Sequence, residues 1–377
     1  MSTGAAGPTG RLQRSLIIVG VNAVALGLAL AATAAIVALY DKPVGDALRA
    51  LYEGSLGSAF AIGTTLNKAT PLLFVALAFL VAQKAGLVSI GGEGQLYVGG
   101  TMAVAAALAF DGLPRPTGLI LALIAGFVGG GLWGALAGWL RARFEVNEVI
   151  ATLLLNFVGI AVSNLTVQEP ALLREPVTDS ASLPQSPLLA QVVRLPRLVQ
   201  DSPNRVHLGI VLAVVAAVAV SVLLRRTVAG FRIRMLGFNP AMAERAGVNV
   251  AVLVVLVMFL SGGLAGLAGT SVLLGEQYRL QPEFSPGFGF DGIAVALLAR
   301  STPGGAVAAA LLFGALRAGG LRLEAAVQVP QALVLVVQGV IILAVAATAY
   351  WVERTLRARA GADVVAAARP ELVEANA

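Results

Sequence analysis

Long apolar runs alternate with short polar breaks along the chain, and the lengths of the runs indicate what they are. A helix needs about 20 mainly apolar residues to cross the hydrocarbon core of a bilayer. Runs of that order, or somewhat shorter, lie at 15–40, 71–84, 95–112, 117–140, 149–168, 207–224, 250–275, 288–300, 304–319 and 331–350. They predict an all-α polytopic membrane protein with about ten crossings or part-crossings. The first run follows Arg11 and Arg14 and is longer than the ~7 to 15 apolar residues of a signal peptide, so it reads as a retained span. Arg141 and Arg143 follow the fourth run; Arg225, Arg226, Arg232, Arg234 and Arg245 follow the sixth; Arg354, Arg357 and Arg359 follow the last. With an even number of crossings all three clusters share the side of the N-terminus, and an excess of arginine marks that side as cytoplasmic. Trp139, Tyr350 and Trp351 stand at the same ends, at the level aromatic rings favour beside lipid headgroups. The expected organisation is a cytoplasmic tail at 1–14, a membrane domain at 15–352 and a cytoplasmic tail at 353–377.

Two polar segments between the runs are long. Residues 169–206 form an outward loop rich in proline, and residues 225–248 form a basic inward loop. Inside the second, Asn239 has the chemistry of an N-cap, Pro240 suits the first helical position and Gly247 suits a stop. A short helix at the cytoplasmic surface fits docking to a soluble partner as well as an ordinary positive-inside loop.

Two glycine-rich breaks stand apart from the rest. "AGLVSIGGEGQLYVGG" (85–100) sets Gly86, Gly91, Gly92, Gly94, Gly99 and Gly100 around Glu93. A phosphate loop of the form G-x-x-x-x-G-K-[ST] fails here because Gly100 occupies the lysine position, and the dinucleotide pattern fails because glycine follows at 99 rather than 97. The stretch therefore reads as a helix break, tolerated at membrane depth only against protein or a water-filled cavity. "SPGFGFDGIAVALLAR" (285–300) is a second break, with Asp291 ahead of an apolar run too short to span. The first opens its helix from the cytoplasmic side and the second from the outer side, a placement that predicts inverted repeats whose broken helices meet near the midplane.

An intramembrane acid is a functional candidate by default, yet Glu93 and Asp291 also sit where a carboxylate caps a helix start. Asn156 is a polar side chain inside the fifth run, suited equally to an interhelical hydrogen bond and to substrate contact. With Gln95, Tyr97, Phe288 and Phe290 these residues make up a candidate substrate pathway offering neutral donors, acceptors and aromatic faces.

Composition closes off several classes. The chain is 58% hydrophobic and 12% charged, against about 25% charged in a soluble domain. It has no cysteine, so no disulfide or thiolate site, and a single histidine, His207, so no histidine-cluster metal site. A pI near 10.1 would fit nucleic acid, but the basic residues gather between the apolar runs, as orientation signals do.

Four segments in order, "GLVSIGGEGQ" (86–95), "ARFEVNEVIATLLLN" (142–156), "GFNPAMAERAGV" (237–248) and "GFGFDGIAVALLAR" (287–300), resemble the larger permease subunit of nucleoside-type ABC importers. That group sits within a broad permease family that also serves simple sugars and branched-chain amino acids, and the resemblance covers roughly residues 45–350. It implies a second, smaller permease, cytoplasmic ATP-binding subunits that hold ATP and Mg, an extracytoplasmic substrate-binding lipoprotein, and no cofactor on this chain. It also implies that Gly237, Asn239, Pro240, Ala243, Arg245, Ala246 and Gly247 form the inward loop that docks on the ATPase. Ser89 and Arg300 depart from the asparagine and glycine common at those places, which bears on substrate preference rather than class. The expected function is inward transport of nucleosides, purine nucleosides in the first place. Rivals are sugar or branched-chain amino-acid transport and a proton-coupled secondary transporter with Glu93 or Asp291 as titrating carrier. An intramembrane enzyme is disfavoured because no nucleophile and base pair up at one depth.

Overall fold

A computed structural model describes residues 43–327, apart from 115, 177–182, 199–205 and 300–301, together with isolated positions outside that range. The apolar runs at 15–40 and 331–350, the two tails and Arg300 fall, but for those isolated positions, outside the described residues. The chain divides into two compact units. One draws on Met1–Leu51 and Gly320–Ala377 and includes the first turns of α1 (Val44–Ser55) and the end of α11 (Pro303–Val327). The other, Tyr52–Gly319, is a helical body that carries both candidate sites.

That body contains α2 (Ala59–Lys84), α3 (Gly92–Ala109), α4 (Thr117–Phe144), α5 (Glu148–Gln168), α6 (Gly209–Arg226), α7 (Val228–Phe238), α8 (Pro240–Arg245), α9 (Val250–Val272) with a π turn at Leu273–Gln277, and α10 (Phe288–Leu298). Among the described residues there is no strand, only an isolated bridge between Arg197 and His207. Six helices there are long and apolar enough to cross a membrane: α2, α4, α5, α6, α9 with its π turn, and α11. Where the sequence pattern predicts about ten crossings, the described residues thus give six such helices and two, α3 and α10, whose first residues Gly92 and Phe288 are buried inside the body.

α2 is the central helix. It is 89% buried over its most apolar stretch, against 28% for α5 and α6, which leave most of their surface uncovered by the body. It begins at Ala59, twelve residues before the apolar run that marks it in sequence. The extra turns are legible only in three dimensions, because their polar residues find partners inside the protein. Ser58 caps the start through the Ala61 amide, the Thr65 hydroxyl donates to the Ser55 carbonyl at 2.8 Å, and Lys68 pairs with Glu276 of the π turn at 2.5 Å.

α9 is the hub against which α3 and α4 pack, and glycine permits the approach. Gly126, Gly130, Gly134 and Gly138 recur at every fourth position of α4, on one face, opposite Gly262 and Gly266 of α9. A Cβ at Gly130 would fall 2.7 Å from the Gly266 Cα, and one at Gly134 3.0 Å from the Gly262 Cα. Apolar side chains gain nothing by leaving lipid for a protein interface, so backbone proximity and its van der Waals contact are what hold such a seam together.

Candidate functional site

The first break is held open by α5. α2 ends at Lys84, Gly86 turns the chain with φ of +74°, and residues 87–90 run without helical hydrogen bonds until α3 begins. Backbone groups left unpaired in an apolar interior cost several kcal/mol each, so this loop needs donors and acceptors from elsewhere. α5 supplies them from positions spaced four apart. The Val88 amide reaches Glu148 Oε1 at 3.4 Å, the Ile90 amide donates to Thr152 Oγ1 at 3.1 Å, and Asn156 donates from Nδ2 to the Ile90 carbonyl at 2.8 Å. Asn156 Oδ1 also accepts from the Gly94 amide at 2.8 Å. Further along, Ser163 meets Thr101 of α3 at 2.7 Å. Both ends of the Asn156 carboxamide are thus engaged by the broken segment.

The second break meets the first halfway along α2, where Val75 touches both Gly92 and Gly292. α3 and α10 start at this level and run in opposite directions, since Tyr97, one turn into α3, stands against Ser285, just before α10. The two N-termini face one another. Glu93 lies between them, 3% exposed, and its Oε2 accepts from the Gly289 amide at 2.5 Å. The sequence places Glu93 as a cap on its own helix; in space it caps the opposite one, because a glycine at 289 lets the two backbones come together and a Cβ there would overlap the Glu93 backbone. Asp291 is likewise committed. Arg317 of α11 donates to Asp291 Oδ2 from Nε at 2.9 Å and from Nη2 at 2.7 Å, reaches the Pro286 carbonyl at 2.9 Å, and lies 4.6 Å from the centre of the Phe288 ring.

Aromatic rings line the same junction. Tyr97 and Phe284 have ring centres 4.5 Å apart, and Phe288 is fully buried. Gln95 is 2% exposed with its Oε1 unpartnered, and Ser89 Oγ is also buried without a partner. Phe290 is 45% exposed and faces away from this cluster of buried groups. Of the seven predicted pathway residues, Glu93, Gln95, Tyr97, Asn156, Phe288 and Asp291 gather at the two breaks or brace them.

The basic loop has the expected local form. Asn239 caps α8 by accepting from the Met242 amide at 3.2 Å, Pro240 occupies the first position, and Gly247 follows with φ of +79°. Ala243 is buried against the body, while Arg245 and Ala246 are exposed. Gly237, at the end of α7, lies on the turn after α2: a Cβ there would sit 2.8 Å from the Gly86 amide nitrogen. The loop and the first break therefore touch through backbone. A cleft of about 650 Å³ opens beside them, walled by Ala85, Gly86, Arg141, Glu145, Pro240 and Glu244.

A family model described as the permease component of branched-chain amino acid transport systems matches residues 61–346. The chain belongs to this permease family. It is similar to the guanosine ABC transporter permease protein NupP of Bacillus subtilis, 39% identical over 339 residues, which covers 89% of this chain and 94% of the relative. It is also similar to the glucose ABC transporter permease protein TsgB13 of Haloferax volcanii (36% identical, 82% of each chain). A third relative is the nucleoside ABC transporter permease protein NupB of Lactococcus lactis (34% identical, 71% of this chain and 74% of the relative). No solved structure matches. The permease is thus a membrane-embedded transport subunit of the ABC class rather than an enzyme.

Several residues that hold the permease's body together escape a reading of the sequence. Arg317 and Lys68 are cations in apolar helices whose partners lie 26 and 208 residues away, and no local signal names those partners. Glu148 and Thr152 were within reach. With Asn156 and Ser163 they form a polar stripe at helical spacing on an otherwise apolar segment, and that spacing alone marks a face turned to protein.

Proposed function

We propose that this permease carries neutral, aromatic-bearing solutes, purine nucleosides first among them, into the cytoplasm as part of an ATP-driven importer. The observation that carries the reading is the charge balance where the two breaks meet. Two helix N-termini contribute roughly +0.5 each and Arg317 contributes +1, while Glu93 and Asp291 together contribute −2, so the sum is close to zero. A free helix N-terminus binds an anion readily. Here the α10 terminus is already occupied by Glu93, which leaves no claim on the carboxylate of an amino acid and suits an uncharged cargo. The unpartnered Gln95 and Ser89, with the rings of Tyr97, Phe284 and Phe288, match a hydroxyl-rich solute bearing a flat base. The likeness to a glucose permease keeps a simple sugar as the second reading.

In this reading about ten spans form two inverted halves with both termini cytoplasmic. A second, smaller permease completes the pathway, and an extracytoplasmic binding lipoprotein delivers the cargo. α8 and the residues from Gly237 to Gly247 dock on a separate ATP-binding subunit, which holds ATP and Mg. Closure of that subunit pushes α8, and the backbone contact of Gly237 with Gly86 passes the push to the broken segment and Glu93.

The test is uptake of labelled guanosine into proteoliposomes holding this chain with its candidate mate, ATPase and binding protein. Uptake is expected to require hydrolysable ATP and to be suppressed by excess adenosine but not by ribose or leucine. Suppression by ribose instead would move the assignment to sugars, and uptake that ignores ATP would remove the importer reading.

A further inference from the structure

A groove with no counterpart in the transport pathway opens sideways between α4 and α6. It has a volume of about 340 Å³; Leu123 and Phe127 of α4 and Leu212 and Ala216 of α6 form its walls, with Phe74 of α2 and Leu267 of α9 as its floor. Its rims, Ile124 and Val215, are 53% and 58% exposed. The groove occupies the early turns of α4 and α6, away from Arg141, Arg143, Arg225 and Arg226 at their far ends.

The lining selects the occupant. Its one side-chain hydroxyl, on Ser271, is turned back to the Ala268 carbonyl at 2.7 Å, so no side chain is left to hold a nucleoside, a sugar or a water. An alkyl chain fits, but lipid tails are as apolar as leucine, and moving one from the bilayer into the groove gains little by itself. Retention needs a polar anchor at the mouth. Leu195 closes the groove next to Gly209, and the bridge from Arg197 to His207 brings Arg197 to that same end. Arg197 is exposed and makes no ion pair with any described residue, whereas its neighbour Arg194 is spent on the Leu189 carbonyl and the Tyr278 ring.

We propose that this groove is a phospholipid site: one acyl chain lies between α4 and α6, and the lipid phosphate is held by Arg197 in the leaflet away from the arginine-rich ends of the helices. The site is separate from the junction of the breaks and does not depend on which solute is carried.

The experiment uses the full chain with its copurifying subunits in nanodiscs containing phosphatidylglycerol with a photoreactive acyl chain, or diacylglycerol with the same chain. Cross-links are mapped by peptide mass spectrometry. The phosphatidylglycerol probe is expected to label 123–127 and 212–216 about five-fold more than the diacylglycerol probe, the order of one arginine at a lipid surface. Arg197→Gln is expected to erase that difference, and Ala216→Trp to remove labelling by both probes. Equal labelling by the two probes, labelling spread evenly over all lipid-facing helices, or no labelling of 123–127 and 212–216 in the assembled complex would each overturn the proposal. Arg197 lies on the surface, so its variant reads the site even if Ala216→Trp impairs folding.

Discussion

At the scale of single residues, Glu93 and Asn156 carry the junction by different means, and substitution separates them. Glu93→Gln keeps an acceptor for the Gly289 amide but removes the charge between two helix N-termini. Thermal unfolding of the purified protein is expected to change little, because the weaker hydrogen bond is offset by the desolvation cost that a buried carboxylate carries and an amide does not. On the proposed reading transport is expected to fall further than stability, since the charge balance where the breaks meet is gone. Asn156→Leu strands the Gly94 amide and the Ile90 carbonyl together, at roughly 2 to 4 kcal/mol, and the same melting experiment should show it as the larger defect. If Asn156→Leu melted like the parent, α5 would not be the brace of the first break.

At the scale of helices, the seam of α4 on α9 has no room for an added side chain. Gly130→Leu places a whole side chain where even a methyl group has no room, and the expectation is protein that inserts but fails to give a monodisperse peak by size-exclusion chromatography. By comparison Asn239→Ala removes one cap from an exposed helix, at about 1 kcal/mol, and should leave the body's melting unchanged. This contrast parallels what could be read from the chain beforehand. The α8 turn is visible in sequence because its cap, its proline and its stop lie within nine residues and act on their own backbone. The polar stripe of α5 is also local, though it becomes meaningful only once the unwound loop at 87–90 is seen to need partners. The Arg317 clamp and the early start of α2 are not local at all: Asp291 and Glu276 turn costly cations into paired ones, and a hydropathy count sees only the cost.

At the scale of the whole molecule, the touch between Gly237 and Gly86 joins the basic loop to the junction about Glu93. Gly237→Trp is expected to abolish guanosine uptake while the ATPase of the assembled complex continues to turn over. Unchanged uptake by a correctly inserted variant would sever the link. The balance of charge at the breaks has a further, electrical consequence. On the proposed reading, with Glu93 held by a backbone amide and Asp291 by a guanidinium, a neutral cargo moves no charge. A membrane voltage does work of about 2.3 kcal/mol per elementary charge per 100 mV, but only on charge that crosses. Guanosine uptake at fixed ATP should then keep the same rate whether the vesicles are polarised or short-circuited with valinomycin and potassium, and it should carry no current.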